Sequence, residues 1–274
     1  MTRFKALALD LDGTLLTSED RVSAGNREAV LAAREAGYAI VIATGRWFEI
    51  AESVAQELGI DGLVISCSGA QVRRLHDRRD IFDVRLPEGF AREVYGRCDA
   101  NRCIAWIGAD EGAMLKMDGE AAAGSLPPGM FQVPSLASHG PAAPRVALIQ
   151  GSAACQLIVD ELTSDWDSEV RFDWSLSGQA KRLLTLTGTA AHKGVALAAA
   201  CRELGIEPAE VVAFGDSDND LELFRASGAS IAMGQSSDEV KAAATMVTVP
   251  GWEDGVAVGI RELLKTGSLP GVAP

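Results

Sequence analysis

The chain begins with a mostly apolar run, Phe4 to Leu9, that drives into Asp10, Leu11, Asp12, Gly13 and Thr14. Such a run suits a strand buried on both faces of a parallel sheet, and open α/β sheets bind their ligands at the carboxyl ends of those strands. Asp10 and Asp12 stand two residues apart, so a continued strand would send both carboxylates to one face and force like charges together. Such a pair needs a cation between the two groups or a proton on one of them, and either outcome suits phosphoryl chemistry.

Beyond Thr14 helical and strand patterns alternate. An amphipathic helix is expected over 26–36, stopped by Gly37, then a strand over 38–43, a helix over 47–58 stopped by Gly59, and a strand over 63–66. The fold class is therefore α/β, with a Rossmann-like parallel sheet and helices on its faces. From about Asp83 the texture changes. A helix near 87–99 precedes a hairpin of strands 103–107 and 113–117, and a Gly-, Ala-, Pro- and Ser-rich stretch over 119–144 reads as an irregular connection. A strand over 145–149, a helix over 152–165 and strands over 169–174 and 182–187 complete an inserted α+β domain. Parallel texture returns with a helix over 193–204, a strand over 211–214 and helices near 219–226, 236–243 and 254–265. The expected division is a core of residues 1–83 and 185–274 and an insert of 84–184.

Size and charge restrict the partners. At 274 residues and 47% hydrophobic content the chain can bury a large core. Lys and Arg number 25 against 38 Asp and Glu, a net charge of −13, which disfavours a surface for nucleic acid or for an anionic membrane. No apolar run reaches the length of a membrane span, and neither export nor membrane spanning is expected. Five cysteines without paired metal-type spacing read as reduced core residues of a cytoplasmic protein. The expected partner is a small molecule, and the pattern leaves the oligomeric state open.

Four clusters fall at strand ends or helix starts: Asp10 to Thr14, Thr44-Gly45-Arg46, His192-Lys193-Gly194, and Gly215-Asp216-Ser217-Asp218-Asn219-Asp220. Each alone has an ordinary reading as a turn, a helix cap or a solvated lysine. Lys193 is nonetheless misplaced for the helix dipole, since a cation in the first turn calls for a negative partner. The Asp216 cluster is not an EF-hand, because Leu221 stands where the loop needs glycine and Ser227 where it needs a bidentate Glu.

In order and spacing the four clusters together resemble the haloacid dehalogenase-like (HAD) phosphatase superfamily. The insert, with Glu253-Asp254-Gly255-Val256-Ala257, resembles its Cof-type, subfamily IIB branch, whose cap is of the C2B type. The resemblance implies a phosphoric monoester hydrolase that uses Mg²⁺ and an aspartyl-phosphate intermediate. It makes Asp10 the nucleophile and Asp12 the acid and base. The metal would be held by Asp10, the Asp12 carbonyl and Asp216, with Asp220 behind them, and the phosphoryl oxygens by Thr44, Gly45, Lys193 and Asn219. Arg46 and Lys116 are candidate substrate contacts, Lys116 being a cation on an otherwise apolar strand, with a solvated place on the hairpin's outer face as its alternative. The implied substrate is a small phosphorylated metabolite, a sugar phosphate or cofactor precursor, chosen by the cap.

Three positions depart from the family pattern: Ser68 where Asn is usual, Gln235 where Asn is usual, and His192 before the lysine. None removes a catalytic group. The competing functions are a phosphomutase of the phosphomannomutase type and a binding or regulatory module on the same fold. The dense basic cluster Arg73, Arg74, Arg78 and Arg79 precedes the cap, which argues against the mutase, and the intact acidic set argues against the module.

Overall fold

The computed structural model describes residues 4–119, 126–176 and 182–270. Its strands are β1 (Ala6–Leu9), β2 (Ala39–Ala43), β3 (Leu63–Ser66), β4 (Gln71–Arg74), β5 (Asp80–Asp83), β6 (Ile104–Gly108) and β7 (Ala113–Lys116). They continue with β8 (Met130–Gln132), β9 (Val146–Gln150), β10 (Val170–Leu176), β11 (Arg182–Gly188), β12 (Val211–Gly215), β13 (Ala229–Ala232) and β14 (Met246–Val247). The helices are α1 (Ala24–Glu35), α2 (Phe48–Glu57), α3 (Glu88–Ala100), α4 (Leu136–His139) and α5 (Ser152–Trp166). After them come α6 (Lys193–Leu204), α7 (Leu221–Ala226), α8 (Asp238–Ala243) and α9 (Gly255–Thr266). The chain divides into two units, one running up to Phe82 and resuming at His192, the other Asp83–Ala191.

In the first unit the strand order is β14-β13-β12-β1-β2-β3-β4-β5. Pairing is parallel from β14 to β3 and antiparallel between β3 and β4. The strand residues alternate strictly between two cores. Leu7 and Leu9, Ile40 and Ile42, and Val212 and Phe214 face a core shared with α1, α2 and α9. Ala6 and Ala8, Val41 and Ala43, and Val211 and Ala213 face the other core, where the alanines of α6 allow that helix to lie close. Burial on both faces is why these strands read as unbroken apolar runs.

The second unit has the sheet order β10-β11-β9-β6-β7-β8, antiparallel except for β7 with β8. Phe90 and Val94 of α3 and Ile158 and Leu162 of α5 share its core with Ala105, Ile107, Ile149 and Leu186. Phe90 meets the Trp166 and Phe172 rings edge-on, each at 5.6 Å between centroids.

Two stretches depart from the expected reading. The 119–144 connection contains β8 and α4, and Asp99 on α3 builds the latter's start by accepting from Leu136 N at 3.0 Å and Ala137 N at 2.9 Å. Residues 120–125 of that connection lie outside the described residues. Strands β4 and β5 carry so much charge that no apolar pattern marks them. Arg73 is buried because its Nε lies 2.7 Å from Asp80 and its guanidinium rests 5.0 Å from the centre of the Phe48 ring. Its neighbours in that basic cluster are paired too, Arg74 with Glu203 at 2.5 Å and Arg78 with Glu49 at 3.2 Å.

Candidate active site

The strand order reverses between β1 and β12, and the carboxyl ends of these neighbours carry Asp10 and Asp216. Asp10 N donates to Phe214 O at 3.1 Å, continuing the ladder one residue beyond β1, and its carboxylate is buried. Lys193, the first residue of α6, is buried as well. Its Nζ donates to Asp10 Oδ1 and to Asp220 Oδ1, both at 2.6 Å. The negative partner that the dipole argument called for is therefore a pair of carboxylates. Burial works against the ammonium, but Asp10 and Asp220 outweigh it and hold the Lys193 pKa above that of free lysine.

Asp220 is buried and fully engaged. While Oδ1 receives Lys193, Oδ2 accepts from Asp216 N at 3.0 Å and Ser217 N at 3.2 Å, so one carboxylate sets both the lysine and the loop after β12. Asp10, Asp216 and Asp220 each offer an oxygen within 4.8 Å of the others. Burial, and after it the Asp220 charge, raise Asp10 well above the ordinary carboxylate range and push Asp216 up to about 6. Three crowded carboxylate oxygens are a donor set for a hard divalent cation.

Beside this cluster, Thr44 is buried at the end of β2, and its Oγ1 accepts from Arg46 N at 3.1 Å, which leaves the hydroxyl hydrogen available to donate. Asn219 Oδ1 receives Lys193 Nζ at 3.3 Å and Ser217 Oγ at 3.0 Å, so its NH₂ is the end that faces outward to a ligand. A side-chain carbon placed on Gly45 would come within 3.9 Å of that Nδ2. Lys193 thus joins Asn219 to the Asp10 carboxylate, and Thr44 follows β2, the strand paired with β1.

Asp12 behaves differently from the expected same-face pair. The chain turns after Asp10, with Leu15 N donating to Asp10 O at 3.3 Å and Gly13 at φ +74°, so strand geometry does not persist. Asp12 is exposed and takes its own cation. Arg46 Nε lies 2.9 Å from Asp12 Oδ2 and Nη2 lies 2.5 Å from Oδ1, while Nη2 also meets Asp20. One lysine-centred and one arginine-centred group therefore relieve the repulsion for which a cation between the two carboxylates, or a proton on one of them, was expected. Burial opposes the Arg46 charge, and Asp12 and Asp20 more than restore it.

Comparison with known proteins bears on this arrangement. The profile of the haloacid dehalogenase-like hydrolases matches residues 7–260. The chain belongs to that family. It is 29% identical to phosphatase YwpJ of Bacillus subtilis, over 95% of this chain and 100% of the relative. It is 30% identical to the 5-amino-6-(5-phospho-D-ribitylamino)uracil phosphatase YwtE of the same organism, over 95% of this chain and 98% of the relative. The fold matches that of the HAD subclass IIB sugar phosphatase BT4131 with a TM-score of 0.75 and 22% identity, covering 94% and 98% of the two chains. The enzyme class expected from the sequence, phosphoric monoester hydrolase, agrees with that of these relatives.

Within the HAD frame the unusual residues acquire roles. His192 caps α6, its Nδ1 accepting from Val195 N at 3.3 Å, so a ring nitrogen does what a hydroxyl does elsewhere. Ser68 sits at φ 57° in the loop after β3 and donates its N–H to Thr44 O at 3.2 Å. Gln235 touches the acidic cluster itself, through Asp216 Oδ2 at 3.2 Å, a contact that sequence reasoning missed because 19 residues separate the two. Lys116 is in the second unit and is not the solvated lysine of a hairpin's outer face. It is buried, with Nζ 3.9 Å from Cys103 Sγ, because β7 has neighbours on both sides.

Proposed function

We propose that this protein is a Mg²⁺-dependent phosphatase that hydrolyses a small phosphorylated metabolite through an aspartyl-phosphate on Asp10. The observation that carries the reading is the buried Asp10 carboxylate held 2.6 Å from Lys193 Nζ at the sheet's switch point, next to Asp216 and Asp220. Lys193 orients one Asp10 oxygen and leaves the other free to attack phosphorus, and it offers positive charge to the phosphoryl oxygens. Thr44 Oγ1, the Gly45 amide and Asn219 Nδ2 supply further donors to those oxygens. Asp12, exposed and so open to a leaving group, gives it a proton and then takes one from the water that opens the acyl phosphate.

Asp10 and Asp216, with the Asp12 carbonyl, would hold Mg²⁺, and Asp220 would act behind them through Lys193 and the loop amides. When bound, the ion supplies the positive charge that lets carboxylates and a phosphate dianion share one site. The substrates of the named relatives, a phosphorylated ribitylaminouracil and a sugar phosphate, support a substrate of metabolite size. The paired state of Arg73, Arg74 and Arg78 supports hydrolysis over a mutase, since these cations are committed to carboxylates.

The test is a trapped intermediate. Rapid quench with an activated aryl phosphate followed by peptide mass spectrometry should place the phosphoryl group on Asp10, with none formed by Asp10→Asn. Turnover at the wild-type rate in excess chelator would remove the metal from the reading, and a phosphorylated residue other than Asp10 would remove the nucleophile.

A further inference from the structure

Gln235 occupies a position that the motifs left without a role, and its amide is hydrogen-bonded to three separate segments. Nε2 donates to Gly13 O at 2.7 Å and to Asp216 Oδ2 at 3.2 Å, and Oε1 accepts from Gly251 N at 3.0 Å. The orientation of the amide is determined by its partners, because a backbone carbonyl can only accept and a backbone N–H can only donate. Both hydrogens of Nε2 are therefore used, one of them on a carboxylate of the acidic cluster.

The three segments lie close enough that small residues are required. A Cβ on Gly13 would fall 2.2 Å from Asp216 Oδ2, and one on Gly251 would fall 2.3 Å from Gly13 O. Backbone packing thus brings the loop after β1, the loop after β12 and the turn before α9 together, and Gln235 is the side chain that joins all three. Asp216 needs such a partner. It opens the loop after β12, and a carboxylate free to rotate there would present its oxygens to a cation only part of the time.

We infer that Gln235 is a positioning residue for the divalent cation: by holding Asp216 Oδ2 it presents this carboxylate, together with Asp10, to the ion. The inference rests on the metal reading proposed for Asp10 and Asp216. The same Nε2 ties that carboxylate to the loop bearing Asp12, through Gly13 O. An asparagine at this position is one methylene shorter, so the longer residue here is read as spanning the gap between Asp216 and Gly251 directly.

The experiment is calorimetric titration of Mg²⁺ into the full chain, with wild type, Gln235→Ala and Gln235→Met compared. Methionine keeps the length and bulk of glutamine and removes its hydrogen bonds, so it separates packing from positioning. We expect Mg²⁺ affinity to fall by about 10–100-fold in both variants, the usual effect of deleting a residue that orients a metal ligand. We also expect the kcat deficit of Gln235→Met to be recovered at saturating Mg²⁺. An unchanged Mg²⁺ affinity in Gln235→Met, even with a lowered melting temperature, would overturn the inference, as would a Gln235→Met chain that fails to fold, since the amide would then be a structural tie. Absence of Mg²⁺ binding by the wild type is a distinct result that takes down the metal reading itself.

Discussion

Arg46 grips Asp12 through both carboxylate oxygens, Nε at 2.9 Å from Oδ2 and Nη2 at 2.5 Å from Oδ1, and the same guanidinium is drawn toward Asp20. Asp12 is more than half exposed, so the pair contributes little to stability, about 0–1 kcal/mol. What it provides is direction. A planar fork fixes the plane of the carboxylate that, in the proposed reaction, meets the leaving oxygen.

Arg46→Lys and Arg46→Ala should therefore leave the melting temperature nearly unchanged and lower turnover. A general acid contributes about 10²–10⁴-fold, and its misorientation should forfeit roughly tenfold or more of that. The loss should be larger for an alkyl phosphate than for an activated aryl phosphate, which needs no proton to leave. Equal losses on the two substrates would show that Arg46 serves the phosphoryl group and not Asp12.

Lys193→Met should be costly to the fold as well as to catalysis. It removes the cation from two buried carboxylates, a change worth about 3–5 kcal/mol when one partner of a buried pair is deleted. Urea denaturation in chelator should show the full loss, and excess Mg²⁺ should restore part of it. In the wild type the folded pKa of Lys193 lies above the unfolded one, so its contribution is complete below about pH 10 and is lost as pH rises through the folded value.

Asp216 gives a pH signature of the same sign at a lower pH in the metal-free protein. Its folded pKa of about 6 exceeds the ordinary carboxylate value near 4, so the folded state binds the proton more tightly than the unfolded state does. Its contribution to stability is present at acid pH and is lost as pH rises from about 4 through 6. Proton and cation compete for the same oxygens, so Mg²⁺ affinity should weaken as pH falls below about 6. Titration calorimetry at pH 5 and pH 7.5 measures the second effect, and a flat affinity would exclude Asp216 from the metal.

Lys116→Met should leave the second unit as stable or make it more so, since it removes a buried charge whose contact is a thiol, and should leave kcat/KM for a small aryl phosphate unchanged. The side chain is buried beside Cys103, and methionine keeps its volume while removing the charge. A fall in kcat/KM confined to the true metabolite would instead make Lys116 a specificity contact.

The α/β core and the residues at its strand ends are legible in the chain before any contact is known. Strands buried on both faces leave no choice but apolar runs, so β1, β2, β3 and β12 are visible in the chain, and the polar residues that interrupt those runs mark where the sheet meets solvent. Asp10, Thr44 and Asp216 stand out for that reason, and Lys193 because a cation in the first turn of a helix calls for a negative partner. The charged strands β4 and β5 do not stand out, because Arg73 is buried only by virtue of Asp80 and Phe48, which no local pattern announces. Nor could the chain show that Asp10 and Asp12 part company. Whether two carboxylates two residues apart share one cation depends on a turn at Gly13 and on where Lys193, 183 residues away from Asp10, and Arg46 arrive. The Gln235 bridge joins segments as far as 222 residues apart. Contacts of that kind belong to the tertiary structure alone, because a hydrogen bond requires two groups within about 3 Å of each other, and separation along the chain says nothing about that distance.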